Sequence, residues 1–558
     1  MTTLRNVLFA ATLLSAFSAP AVAQVDKKTV CTITVNSSDE KETFARSLPP
    51  DKFQFVELVE RGRDDWLESA CRQRIKCDVL VVSGHYDGGN EFFSDQLDKR
   101  EFLPVDELER ASCSGSCDGL FSQLKEVYLF GCNTLNVGAN KSPSSEIGRS
   151  LVRSGYARAD AERLARALGI RHGESSRDRM RQVFKDVPAI YGFSSVAPLG
   201  AAAAPILERH LRSGGVNEVA TGRTSNRLLG AFATQSMVAV SGISRTDPMA
   251  AHRQDICKFH DERLTSAGKA DFIHELLGRE TAEVRMFLDR IERYAAMLTE
   301  PERQVPAVAE AFGRIATDAP ARQRYLAFAR DADQVNVRAR MLDLAETFGW
   351  LTTEEKWAEM VRMFGDQLGR ETLSAADVDQ VCALNANQEF NEALLELPPL
   401  DARRHGVPQA AMLACLGHVE SHTRVVQALT SPSDDEVAFA QVYLRHRPIQ
   451  DAREVRAITA GVARMNGTAT KVRALQSLAH LRLSDRASLD ALARMYPQAE
   501  TPGVQMAIAG VFIRADHAAI AKPELVRTLR DYRLKSGAGQ DMIDVLIRRL
   551  EVNQGGLK

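Results

Sequence analysis

Beyond its first two dozen residues the chain has no apolar run approaching 18 residues, so nothing there reads as a membrane-spanning helix. Nor does it carry an excess of either charge. Its 71 Lys and Arg stand against 73 Asp and Glu, which leaves no basic field to hold nucleic acid. Aromatic residues make up only 6%, while Ala, Leu and Arg are abundant, a balance that leans helical. There is no Walker glycine loop, no HExxH pair and no EF-hand loop, and the one glycine-rich stretch, GHYDGG, lacks dinucleotide spacing. No cofactor and no metal is expected.

What is present begins at the N-terminus. Residues 1–23 have one basic residue, Arg5, an apolar core over 7–17 and a small-residue end, Ala21-Val22-Ala23. That is the pattern of a secretory signal peptide, too short and wrongly flanked for an anchor. No Cys follows the cleavage point, so a lipid anchor is not expected. The mature chain is expected in the bacterial periplasm or outside the cell, without stable membrane insertion. Nine cysteines fit that address, because export permits disulfides. Nine is odd, so at least one thiol stays free.

From residue 27 strand and helix patterns alternate. Apolar, β-branched runs at 29–35, 53–58, 79–82, 127–130, 189–194 and 237–240 read as strands, with helical stretches between them. Such alternation predicts an α/β domain over residues 24–245, built on a doubly wound, mostly parallel sheet. Two strands stand out. CDVLVVSGHYDGG (77–89) and EVYLFGCNTLN (126–136) each run apolar on both faces and stop at one reactive side chain, His85 and Cys132. In an open α/β sheet, loops at the carboxyl ends of strands form the ligand crevice. If the strands are neighbours, a thiol and an imidazole emerge side by side, the pairing a cysteine nucleophile needs. The residues from 86 to 93 read as a polar loop, and those from 137 to 145 as a loose stretch beside the same rim.

Strand–SGH followed by strand–GCNT resembles the caspase-like cysteine peptidases, most closely the bacterial CHAT branch that includes separase-like enzymes. The resemblance covers residues 27–245. It implies a caspase-like sheet of about six strands, His85 as general base and Cys132 as nucleophile in an endopeptidase. Backbone N–H groups near Tyr86, Gly131 and Cys132 are then the oxyanion candidates. The family has glycine directly after its histidine, and this chain has Tyr86 there; its glycines come later, at Gly88 and Gly89. Ser194 and Ser195 end a strand on the same rim and are cleft candidates, although a strand-end turn is their commoner role. Asp87 and Asp95 are candidates to hold a basic substrate side chain, against the plainer reading of solvated loop acids.

The resemblance also bears on the cysteines. It makes the strands of Cys31 and Cys77 adjacent, and Cys113 and Cys117 flank a tight Ser-Gly-Ser loop. Cys382 and Cys415 lie one helical hairpin apart, which leaves Cys71 and Cys257 to tie the sheet domain to the C-terminal half. The sequence does not fix these pairings. A zinc site from Cys71, Cys77, Cys113 and Cys117 is the rival reading, and its irregular spacing counts against it. His172 and His260 read as isolated solvated or capping residues.

After residue 245 the strand patterns stop. Val284, Phe287, Leu288, Ile291, Tyr294, Ala295 and Leu298 keep one apolar stripe, and shorter helices come after it, opened by signals such as Ser484-Asp485 and Thr501-Pro502. Residues 246–558 are therefore expected to be all-helical, with a HEAT-like solenoid as the finer reading. Together these features predict an exported cysteine endopeptidase acting on a protein or peptide, with room for a protein partner on the helices. The contrary class is an inactive caspase-like scaffold that binds proteins. Tyr86 favours the scaffold; the His-then-Cys order favours the enzyme.

Overall fold

The computed structural model describes residues 27–58, 67–94, 101–117, 119–138, 143–393, 406–516, 520, 523–534 and 541–555. Residues 1–23, read from the sequence as a signal peptide, and Asp95 lie outside them.

The first half is an α/β region. Its elements run β1 (Lys28–Thr34), α1 (Asp39–Ser47), β2 (Phe53–Glu57), α2 (Glu68–Arg72), β3 (Val79–Ser83), β4 (His85–Tyr86), β5 (Glu91–Phe93), β6 (Phe102–Pro104), α3 (Val105–Cys113) and β7 (Glu126–Phe130). Then come α4 (Pro143–Arg153), α5 (Arg158–His172), α6 (Ser176–Val183), β8 (Ala189–Phe193), α7 (Gly200–Arg212), α8 (Asn226–Ala231), β9 (Met237–Val240) and α9 (Ala250–His260). Six strands form one sheet in the order β2-β1-β3-β7-β8-β9. All neighbours are parallel except β9, which runs antiparallel to β8.

Alternation along the strands explains why both sheet faces are covered. Val79 and Val81 of β3, Tyr128 and Phe130 of β7, and Tyr191 and Phe193 of β8 share one core with Phe44 of α1 and Leu207 of α7. Leu80, Val82, Val127, Leu129 and Ile190 point the other way, into a core with Leu108 of α3 and Met180 of α6. Every residue of β3, β7 and β8 is buried. That is why these runs carry no polar alternation.

Residues 86–93, read from sequence as a polar loop, are instead part of a second, three-stranded antiparallel sheet, β4-β5-β6. The reason is local. The Asp87 carboxylate accepts from the N–H groups of Gly89, Asn90 and Glu91 at 2.9, 2.7 and 3.1 Å, and Gly88 takes φ +86°. This closes a tight turn, and Phe92 and Leu103 then bury completely.

The cysteines form four disulfides: Cys31–Cys77, Cys71–Cys117, Cys113–Cys257 and Cys382–Cys415, with Cα separations of 5.6, 4.6, 4.9 and 4.8 Å. Cys113 and Cys117 do not pair with each other. Cys113 ends α3, which packs on α9 and its Cys257, whereas Cys117 ends a 3₁₀ turn that packs on α2 and its Cys71. Cys71 and Cys257 do not pair with each other: Cys113–Cys257 ties the sheet region to α9, beyond residue 245, while Cys71–Cys117 stays before it, and both bonds lie within the unit that holds the sheet. All four cysteines of the zinc reading are spent in these bonds. Cys132 alone remains a thiol. Thiol titration of the denatured, unreduced protein is therefore expected to find one thiol per chain, mapped by mass to Cys132. Two or more would mean that one of the four bonds does not form.

By its contacts the chain divides into two units. One holds the described residues up to 138 and 167–265; the other holds 143–166 and everything from 266. The second unit is helical throughout its described part. Its helices match the apolar stripes, with one departure. The stripe from Val284 to Leu298 is buried as expected but breaks at Phe287, giving helices Thr281–Met286 and Leu288–Met297. Thr501 caps helix Pro502–Arg514 through a bond from the Val504 N–H, and Asp485 caps helix Arg486–Met495 through the Ser488 N–H. Helices starting at 434, 468 and 502 pack in succession, each 34 residues after the last. Those starting at 452 and 486 keep the same step. Among the described residues no helix is long and apolar enough to cross a membrane.

Candidate active site

β3 and β7 are parallel neighbours, with Val79 opposite Glu126 and Ser83 opposite Phe130. His85 is two residues beyond Ser83, and Cys132 is two beyond Phe130. Continuing the register sets them at matching positions past the carboxyl ends of strands about 4.8 Å apart. Both line one small cleft. Its remaining walls are Asn36, Ser37 and Glu40 after β1, Ser83 and Gly84 at the end of β3, Phe130 and Gly131 at the end of β7, and 197–200 after β8. The cleft is thus framed by the carboxyl-end segments of four parallel strands.

Each residue of GCNT has a local reason to be there. A Cβ on Gly131 would lie 2.8 Å from the Gly84 carbonyl oxygen and 3.0 Å from Tyr86 Cβ, so only glycine lets the two loops approach this closely. Cys132 is half-buried, and the Ala197 N–H donates to its Sγ at 3.3 Å. Asn133 takes a left-handed φ of +59°, a conformation Asn tolerates better than most residues. This turns the chain sharply after Cys132 while the Asn133 N–H bonds the Ser195 carbonyl at 2.7 Å. Thr134 is fully buried, donates to the Gly131 carbonyl at 3.2 Å and accepts from the Phe193 N–H at 3.1 Å. The cysteine is held by its neighbours on both sides.

The other sequence candidates fall in different places. Tyr86 is buried against Phe92, ring centroids 4.8 Å apart, and its phenol is pushed up to about 12, chiefly by burial. Its side chain belongs to the core. Ser194 and Ser195 do not line the cleft; their carbonyls accept from the Asn136 side-chain amide at 2.8 Å and from the Asn133 N–H, which braces the cysteine loop from behind. Asp87 is spent on its turn and is absent from the cleft wall. His172 is neither solvated nor isolated: it is buried, 4.1 Å from the His252 ring. His260 pairs with Glu109 at 3.2 Å.

Two features of the cleft were not read from the sequence. The first is the N-terminus of α7. Gly200, its first residue, lines the cleft near Ala197, so the N-terminus of a 13-residue helix opens on the cleft. The second is Glu40. It lies in the first turn of α1, where an acid ordinarily meets solvent, yet it is only 3% exposed. Burial raises its carboxyl to about 7; its own backbone N–H and the Ser83 hydroxyl favour the charged form but do not overcome the desolvation, and Asp39 adds to the rise.

That shift has a stability consequence with a definite sign. The folded chain binds this proton more tightly than the unfolded chain, whose Glu titrates near 4.5. The folded state therefore loses stability as pH rises from about 4.5 and bears the full cost above about 7, roughly 3 kcal/mol. Urea unfolding of Glu40→Gln and wild type is expected to show a difference that widens between pH 5 and 8 in favour of the variant. A difference independent of pH would mean that Glu40 titrates normally.

No protein family, curated protein or solved structure matches the chain.

Proposed function

We propose that the chain is an exported cysteine endopeptidase of the caspase-like type, with Cys132 as nucleophile and His85 as general base. The observation that carries this reading is the placement of His85 and Cys132 past the ends of adjacent parallel strands in one cleft, with every other cysteine in a disulfide. His85 takes the thiol proton, and the Cys132 sulfur attacks the scissile carbonyl carbon to form a tetrahedral oxyanion. The intermediate collapses to a thioester as His85 returns the proton to the leaving amine. Water, deprotonated by His85, then releases the acid and regenerates the thiol. Backbone N–H groups around the sulfur, Ala197 among them, would hold the oxyanion, a contribution of about 3 kcal/mol per donor.

Four disulfides suit an oxidising compartment, which supports the periplasm or the cell exterior. The successive packing of helices 34 residues apart supports a solenoid reading for the second unit, serving to bind a protein substrate or partner. That step is shorter than a HEAT unit and equals a tetratricopeptide unit. The test is incubation of the mature protein with denatured proteins of varied sequence, then mass-spectrometric mapping of new termini. Cleavage at recurring sites, lost in Cys132→Ala, is expected. No cleavage by a folded protein with its Cys132 thiol intact would favour the inactive binding scaffold.

A further inference from the structure

Glu40 is unlike the structural acids of this fold. Glu126 accepts from three backbone N–H groups and the Tyr128 hydroxyl, and Glu57 accepts from Thr32, Thr34 and Lys41. Glu40 Oε2 is buried with no hydrogen-bond partner among the described residues, and the same holds for Ser83 Oγ beside it. Both residues line the cleft with His85 and Cys132. A carboxylate at a buried cleft wall is costly to fold, and its own backbone N–H and the Ser83 hydroxyl offset that cost only in part. α1 packs on β3, the strand that leads to His85, and Ser83 ends that strand two residues before His85. The sulfur, after β7, is instead met by the Ala197 N–H.

Resting on the peptidase reading, we propose that Glu40 is a third polar member of the site, a positioning residue whose carboxylate favours the imidazolium form of His85 and so sets the thiolate fraction of Cys132. The proton that leaves the Cys132 sulfur resides on a His85 ring nitrogen, in the cleft whose wall Glu40 helps to form. Among the described residues no Lys, Arg or other His nitrogen lies in ion-pair range of Glu40, so its charge is left to act on the cleft. The neighbouring acid Asp39 also acts on it, and its carboxylate accepts from Ser37 at 2.9 Å. The first turn of α7 brings no acid. Glu40 acts across the cleft or through water, not by direct contact with the ring. An opposite charge within about 4–6 Å moves a titration by about one to three pH units.

The test is the pH dependence of Cys132 alkylation by iodoacetamide, in which the thiolate displaces iodide. It is measured in the full chain for wild type, Glu40→Gln, Ser83→Ala and His85→Ala. The wild-type rate is expected to fall more steeply below about pH 7 than one ionisation allows, because Glu40 and the dyad both take up protons there. Glu40→Gln should remove that steepness and slow alkylation at pH 7 about tenfold, which is one pH unit in the thiol titration. Ser83→Ala, which takes away the hydroxyl that favours the charged carboxyl, should move the steep limb to higher pH; it serves if the Gln variant fails to fold. If Glu40→Gln or Ser83→Ala, folded by circular dichroism, gives the wild-type profile, Glu40 is only a buried structural acid and the proposal is overturned. If wild type itself titrates as an ordinary thiol near 8.5 and His85→Ala changes nothing, the dyad reading fails instead.

Discussion

Cys132→Ala is expected to abolish peptide-bond hydrolysis, and His85→Ala to lower kcat/KM by about 10²–10⁴-fold, the range a positioned general base supplies. The two losses differ in kind. Without the sulfur there is no covalent intermediate, so nothing remains but background hydrolysis. Without the imidazole the sulfur is still held by the Ala197 N–H at the start of α7, and its thiolate form can still attack at raised pH. The His85→Ala rate should therefore recover in part as pH rises toward 9, whereas Cys132→Ala should stay silent throughout. Neither change opens the core, because both side chains line the cleft, so circular dichroism should match wild type. Steady-state kinetics on a cleaved peptide read the outcome. A His85→Ala variant within twofold of wild type would remove the base from the mechanism.

The largest loss of stability is expected at the opposite end of the same strand. Glu126 begins β7 and is completely buried. Its carboxylate accepts the N–H groups of Ala220, Thr221 and Gly222 at 3.0, 2.9 and 3.1 Å, and the Tyr128 hydroxyl at 2.8 Å. Glu126→Ala leaves the buried Ala220 N–H and Tyr128 hydroxyl without an acceptor, whereas the Thr221 and Gly222 N–H groups lie nearer the solvent. Each unmet buried donor costs about 1–3 kcal/mol, which gives a total of roughly 3–5 kcal/mol once partial relaxation is allowed for. Glu126→Gln keeps an acceptor oxygen and should cost less. Urea unfolding of the two variants measures this, and a loss below about 1 kcal/mol in Glu126→Ala would show that the turn at 220–222 reaches water. In whatever fraction stays folded, Cys132 reactivity should be unchanged, because the brace and the thiol sit at opposite ends of β7.

The same contrast shows what the sequence could and could not reveal. All six strands of the main sheet were legible, the central ones because a strand buried on both faces has to be continuously apolar, and VLVVS and EVYLF have few other readings. His85 and Cys132 were legible for the same reason: a polar, reactive residue directly after such a run has to emerge at its end. The second sheet was not, since β4 has two residues and β5 and β6 three each, too short for any periodicity to register. Glu40 was hidden by its own normality. An acid in the first turn of a helix is the commonest choice on dipole grounds, and only the fold reveals that this turn closes over a cleft. The cysteine pairing went astray where nearness in sequence stood in for direction, because Cys113 and Cys117 are four residues apart but face α9 and α2 respectively.

The most direct measurement on the dyad is the intact mass of the mature protein after treatment with a panel of peptidyl electrophiles that trap cysteine nucleophiles. It is made on native wild type, Cys132→Ala and His85→Ala. One adduct per chain is expected on wild type, located at Cys132 by peptide mapping, faster than a simple alkylating agent of equal intrinsic reactivity would add. None is expected on Cys132→Ala, and a much slower adduct on His85→Ala. Equal rates on wild type and His85→Ala, or a wild-type Cys132 no faster with peptidyl reagents than with the simple alkylator, would contradict a His85–Cys132 peptidase site.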